Sequence, residues 1–304
     1  MQLDHLETLS ALVDEGTFEA AARRLHVSAS AVSQRVKAME ASTGRVLVRR
    51  TTPVTLTDAG EVILRYARQV ELLETDTQRA LEGSQDGAGG GSGSATGGRV
   101  SRIALAVNAD SLATWFLGAL SGLGDELGVV FDLHREDQVN TTRLLRAGTV
   151  MAAVTSTRDA VQGCTTEALG AMRYRAVCAP DFAARWGLRD PASSALAEAP
   201  VVLFDRDDDL QSAFVRARTG SGATGPRHYI PTSDDFARAV ALGFGWGVLP
   251  EQQCAGPIAE GSLVELAPAD PVDVALHWQR WNIASPTLDR ITAAVRSGAA
   301  GSLR

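Results

Sequence analysis

The sequence lacks most of the features that would mark a secreted, membrane-bound or catalytic protein. Its three cysteines, Cys164, Cys178 and Cys254, are odd in number and far apart. A disulfide framework needs pairs and a zinc site needs closely spaced ligands, so they read as small core residues of a reducing compartment. No apolar run approaches the ~18 residues of a membrane span, and the N-terminus lacks the charged-then-apolar pattern of a signal peptide. A cytoplasmic chain with no membrane partner is expected. Also missing are a G-x-S-x-G elbow, an H-E-x-x-H pair and a C-x-x-C pair. The five histidines, His5, His26, His134, His228 and His277, are scattered, and His277 in VALHWQRW reads as a packed residue rather than a general base. Gly220, Gly222 and Gly225 fit G-x-G-x-x-G, but an arginine-rich helical stretch precedes them and Pro226 follows. The strand and helix that this motif needs to hold a phosphate are therefore absent. The expectation is no enzyme, no cofactor and no metal.

What is present is a chain of 304 residues, 45% hydrophobic and 21% charged, enough for two or three domains with cores of their own. A net charge of −7 taken alone opposes polyanion binding. Its distribution points the other way: Arg35, Lys37, Arg45, Arg49 and Arg50 face Glu40 alone, a local net charge of +4. Such a patch releases counterions when it meets phosphates.

That basic stretch adjoins a helix-turn-helix pattern. Phe18, Ala21, Ala22 and Leu25 recur at helical spacing behind Thr17, a candidate N-cap. After His26 and Val27, Val32, Val36 and Met39 mark a second apolar face, with Ser30, Ser33, Gln34 and Lys37 opposite. Short polar and basic side chains on one stripe suit a helix lying in the major groove of double-stranded DNA. Ser28 caps that helix and leaves N–H groups for a phosphate; Arg35 adds a further DNA contact. Leu3 to Glu15 reads as a preceding helix closed by Gly16. Beyond Gly44 the pattern alternates through Val46 and Val48 to Leu56, a two-stranded wing with Pro53 near its tip and Arg49, Arg50 and Thr51 placed for phosphate or minor groove.

Residues 57–83 read as one helix about 40 Å long, capped by Thr57. Ile63, Tyr66, Val70 and Leu73, continued by Thr77 and Ala80, step by three and four, a seam that predicts pairing with a second chain as homodimer or homotetramer. Residues 84–98, SQDGAGGGSGSATGG, are a flexible linker by composition. From Arg102 strands and helices alternate in two halves, which predicts two α/β subdomains over 99–304 with a ligand cleft between them, and Thr287 to Ser297 reads as a final surface helix. Ligands in such sheets sit beyond the carboxyl ends of strands. The effector candidates are therefore Asn108, Asp110 and Ser111, then Glu136, Asp137 and Gln138, then Thr155, Asp205, Thr232, Ser233 and Asp234. Helix N-termini take a carboxylate and the acidic residues an ammonium or guanidinium, a combination suited to a basic amino acid.

The segment FEAAARRLHVSASAVSQRVKAMEASTGRVLVRR, with A-A-x-x-L, S-A-V-S-Q-R and L-V-R in order, resembles the winged helix-turn-helix of LysR-type transcriptional regulators. AVNADSLATWFL, REDQ, APVVLFD and LHWQRW resemble the ArgP/LysG branch, regulators of basic amino-acid export. Ala29 departs from the family, which often carries Gln there, and the glycine tract is unusually long. The resemblance implies a multidomain α/β chain: a winged helix-turn-helix over 1–56, a linker helix over 57–83, and a periplasmic-binding-protein-like (type II) effector domain. Its chain crossings are expected near 165–180 and 245–265, the second at GWGVLP. The implied function is promoter binding and activation of a lysine or arginine exporter gene, with RNA polymerase a possible partner. A different effector metabolite, or less specific DNA binding in a replication-related role, are the alternatives.

Overall fold

The computed structural model describes residues 1–83, 101–136, 138–188, 195–220 and 222–304. Three helices, α1 (Leu3–Glu15), α2 (Phe18–Arg24) and α3 (Ala29–Thr43), close on Leu9, Leu12, Ala21, Val32, Val36 and Met39. Their ends are defined locally. The Thr17 hydroxyl accepts from Ala20 N at 3.1 Å and the Ser28 hydroxyl from Ala31 N at 3.1 Å, caps worth about 1 kcal/mol each. Gly16 ends α1 at φ 72°, in the left-handed region that glycine enters without cost.

The wing is the pair β1 (Val48–Arg49) and β2 (Thr55–Leu56), in antiparallel register Val48↔Leu56. It is shorter than the alternation suggests. Val46 is exposed while Leu47 turns into the core, because the Glu40 carboxylate accepts from Leu47 N at 2.9 Å and holds the approach to β1 out of strand geometry. Then α4 (Asp58–Gly83) begins at Thr57, whose hydroxyl accepts from Gly60 N at 3.1 Å.

The remainder is organised on a mixed sheet. In the first lobe β3 (Ser101–Val107) lies parallel to β4 (Val129–Arg135) and β5 (Ala152–Thr155). Between β3 and β4 run α5 (Ala109–Ser111), a π-helical turn over Leu112–Phe116, α6 (Leu117–Leu120) and α7 (Leu123–Leu127); α8 (Gln138–Ala147) precedes β5. The 15-residue β6 (Cys164–Cys178) then carries the chain into the second lobe. That lobe holds α9 (Pro180–Trp186), α10 (Ala195–Glu198), β7 (Val201–Leu203), α11 (Leu210–Thr219), β8 (Arg227–Tyr229) and α12 (Ser233–Ala241). It continues with β9 (Gly247–Pro250), α13 (Glu251–Ala259) and β10 (Val264–Glu265). The chain returns on β11 (Val272–Trp281) and ends in α14 (Pro286–Ser302). The strand order is β10-β6-β11-β5-β3-β4, with β9 also on β6 and β7-β8 a separate parallel pair.

Two expectations are corrected here. The return crossing is β11, which pairs with β6 from Val272↔Tyr174 to Trp281↔Cys164, and not the 245–265 segment. GVLP is a four-residue, wholly buried strand seated against Tyr174–Val177, long enough for one lobe only. The last helix is longer than the expected Thr287–Ser297 and is not a surface element: Leu288, Ile291, Val295 and Ala299 join the main core beside Phe116, Trp278 and Trp281.

Candidate functional site

The outward face of α3 exposes Ser30, Gln34 and Lys37, and the cap leaves Ser28 exposed at its start. Arg49, Arg50 and Thr51 are exposed on the wing. The two elements are tied to each other: Arg50 Nη2 donates to the Ser33 hydroxyl at 3.3 Å, and its guanidinium lies 5.2 Å from the Phe18 ring centroid. Thr51 is also committed, donating to the Pro53 carbonyl at 2.7 Å. Arg35 does not share the open face. It donates to the Thr8 hydroxyl at 3.2 Å and pairs with Asp4 at 3.6 Å, because its position on α3 adjoins α1; it holds the frame.

Helix α4 divides its faces between two tasks. Val62, Tyr66, Leu73 and Leu81 are exposed, and Val70, Leu73, Glu74, Thr77 and Gln78 line a shallow groove on that side. Ile63 is not part of this stripe: it packs on the winged domain's own core. The opposite side docks on the effector domain of the same chain. Leu72 enters the main core; Arg65 Nη1 donates to Gln162 O at 3.0 Å; Arg79 Nη1 donates to the Thr287 hydroxyl at 2.7 Å. Arg68 donates to Asp14 at 2.7 Å, to Gly148 O at 3.2 Å and to Thr149 O. Burial lowers the Arg68 pKa, with the Asp14 charge opposing it. Burial, with Asp14 next, pushes Glu71 above its ordinary value. These contacts were not legible in the periodicity, since the partners lie between 54 and 208 residues away along the chain.

Between the two lobes a cleft of about 400 Å³ is lined by Asp110, Arg135, Glu136, Phe204, Asp205, Asp207, Asp208, Gln211, Ser233 and Phe236, with Val248 to Pro250 at its floor. Asp110 joins three elements: it accepts from the Tyr174 hydroxyl of β6 at 2.8 Å and from the Ser233 hydroxyl of α12 at 2.7 Å. Burial, and then the Asp110 charge, push the Tyr174 phenol well above its usual value, which keeps it a donor. Asp205 accepts from Asp207 N at 2.8 Å and Asp208 N at 2.9 Å, while Asp208 accepts from Phe204 N at 2.8 Å and Leu210 N at 3.1 Å. The run 205–208 is thereby folded into a rigid acidic corner. Burial raises the Asp208 pKa, with the two backbone donors opposing it.

Of the expected effector residues, the cleft brings together Asp110, Glu136, Asp205 and Ser233. The other described candidates do not line it. Ser111 is fully buried, Thr155 closes a turn by accepting from Thr157 N at 3.1 Å, Thr232 donates to Asp235 at 2.7 Å, and Asp234 accepts from Gln253 at 3.2 Å. Asn108, the residue before α5, is likewise absent from the wall, and Asp137 lies outside the described residues. Arg135, Phe204, Asp207, Asp208 and Gln211 line the cleft as well and are not among the residues expected from the sequence. The run of aspartates after VVLF and the arginine opening REDQ were visible signals; nothing local marks Tyr174.

Among the described residues no helix is long and apolar enough to cross a membrane, and no cluster of His, Cys, Asp and Glu could hold a metal. A winged helix-turn-helix, carried on a long helix and joined to a two-lobed α/β cleft, defines a ligand-responsive regulator of transcription. The family of bacterial regulatory helix-turn-helix proteins of LysR type matches residues 3–61, and the LysR substrate binding domain matches residues 96–299. The chain is 43% identical to the HTH-type transcriptional regulator LysG of Mycobacterium tuberculosis, over 100% of this chain and 96% of that one. The crystal structure of ArgP from Mycobacterium tuberculosis superposes with TM-score 0.83 at 42% identity, covering 99% and 98% of the two chains. Full-length LysG from Corynebacterium glutamicum with bound effector Arg gives TM-score 0.76 at 36% identity over 100% of both chains. The chain therefore belongs to the LysR family, in its LysG/ArgP branch of transcriptional regulators.

Proposed function

We propose that this regulator senses a basic amino acid, arginine or lysine, in the cleft between its lobes and activates a gene for the export of that amino acid. The observation that carries the reading is the wall itself: among the described residues, Asp110, Glu136, Asp205, Asp207 and Asp208 face one space whose single lining cation is Arg135. Clustered carboxylates attract a cationic side chain and discriminate against an isosteric neutral one. The Corynebacterium glutamicum relative supports the assignment, being named a lysine export transcriptional regulatory protein and having a structure with bound Arg. The chain acts in the cytoplasm as a homodimer or homotetramer paired through the Tyr66 and Leu73 face of α4, with α3 and the wing on promoter DNA beside RNA polymerase.

Titration calorimetry of the full chain tests the ligand. Arginine or lysine gives saturable heat, and norleucine and citrulline, which lack the cationic head, give none. Equal binding of norleucine, or no binding of either basic amino acid, refutes it. Footprints on the DNA upstream of the regulator's own gene, with and without the amino acid, test the coupling.

A further inference from the structure

The acidic wall explains attraction of a cation but not acceptance of an amino acid. An α-carboxylate brought into a space lined by five carboxylates meets like charge, so the wall alone favours decarboxylated diamines over arginine or lysine. Something must reverse that preference. Arg135 is the lining residue with the charge to do so. Arg206 adjoins the acidic run, but its guanidinium stacks 4.9 Å from the Tyr229 ring centroid and it is not part of the wall.

The bonding of Arg135 is unusual for an arginine in such surroundings. It ends β4 in the first lobe, and both of its contacts are in the second. Nη1 donates to the Pro231 carbonyl at 2.9 Å, and the guanidinium lies 5.8 Å from the Phe204 ring centroid. Among the described residues it makes no ion pair, although carboxylates line the same cleft. A guanidinium carries five N–H donors, and one carbonyl occupies one of them. The rest of the fork is available, in the planar geometry that receives a carboxylate through two parallel bonds.

We propose that Arg135 receives the effector's α-carboxylate and is the residue that makes the cleft select α-amino acids over decarboxylated amines. The inference rests on the cleft being the basic amino-acid site. Because the guanidinium already touches Pro231 and Phe204, a carboxylate bound to it is held against both lobes. The selecting contact is thus also one that favours the closed arrangement.

The test uses the full chain and three ligands with the same cationic head: arginine, argininamide, in which a neutral amide replaces the carboxylate, and agmatine, which has neither. Wild-type protein binds arginine about ten- to a hundredfold more tightly than either analogue, the range of a charge-assisted contact. In Arg135→Gln arginine falls to the level of argininamide, while argininamide and agmatine change by less than about threefold; Arg135→Lys restores part of the difference. A residue that only latched the lobes would weaken all three ligands by one factor, and that result overturns the proposal. So does wild-type protein binding agmatine or argininamide as tightly as arginine, which needs no variant to observe. Failure of wild-type protein to bind arginine or lysine at all removes the underlying reading, and this proposal with it.

Discussion

Replacing Arg68 with methionine removes the charge that fastens the linker helix between winged and effector domains while keeping an apolar stem of similar length. The Arg68 side chain is 10% exposed and that of Asp14 12%. The variant loses the Asp14 pair at 2.7 Å and the donors to Gly148 O and Thr149 O. Breaking a buried pair costs about 3–5 kcal/mol when the remaining charge is abandoned. Asp14 is not abandoned, since Arg24 remains at 2.9 Å and Arg102 at 3.6 Å, which brings this part down to about 1–2 kcal/mol. The two carbonyls left without their donor add about 1–2 kcal/mol. The expected loss is about 3 kcal/mol, concentrated at the seam. A chain of several domains does not melt in two states, so amide hydrogen exchange in α1, α4 and residues 144–150 is the assay. Asp14→Asn, made alone and with Arg68→Met, closes a cycle with a coupling of about 1–2 kcal/mol. A loss below about 1 kcal/mol, or strict additivity of the two changes, refutes the assignment of Arg68 as the fastener.

Three further outcomes follow from the same geometry. Glu71 is held above its ordinary value of 4.5 by burial and Asp14, so the stability it contributes is complete below that value and lost as pH rises through its folded one. Glu71→Gln is therefore stabilising at pH 7 and neutral in acid, read as the change in amide-exchange protection of α4 at the two pH values; stabilisation that is independent of pH contradicts this. Gln34→Ala lowers discrimination between operator and random DNA by about 1–3 kcal/mol, whereas Lys37→Ala weakens both and reduces the slope of log K against log salt by about 0.9. Gel shifts across a salt series separate the two, and an equal effect on operator and random DNA in Gln34→Ala would remove its base contact. Tyr66 and Leu73 are 49% and 41% exposed, so Tyr66→Asp with Leu73→Asp leaves the fold intact and halves the mass seen by sedimentation. An unchanged mass places the subunit contact elsewhere.

What could be read from the residues in order was what the chain decides locally. Thr17 and Ser28 cap helices because their partners are three residues on, and the helical period over Leu3–Glu15 is a helix over the same residues. The cleft depended on distance. Asp110 was visible as an acid after a strand, but the hydroxyls that hold it come from residues 64 and 123 positions away. Arg35 and Ile63 show the converse. Each has the chemistry for an exposed role, and each is taken by an internal partner that periodicity does not register. The return crossing was misplaced for a similar reason: WGVLP has the hydrophobicity of a central strand, but only the length of VDVALHWQRW reaches across both lobes.

That reach has a mechanical consequence. The lobes are not hung on loose linkers; the ribbon of β6 and β11 passes between them with its ladder of backbone bonds intact, save one irregularity at Leu276/His277. A ribbon of this kind resists bending within its plane and yields to torsion. Ligand capture should accordingly appear as a few degrees of screw-like rotation of one half against the other, centred on that irregularity, and not as the wide swing of a jaw.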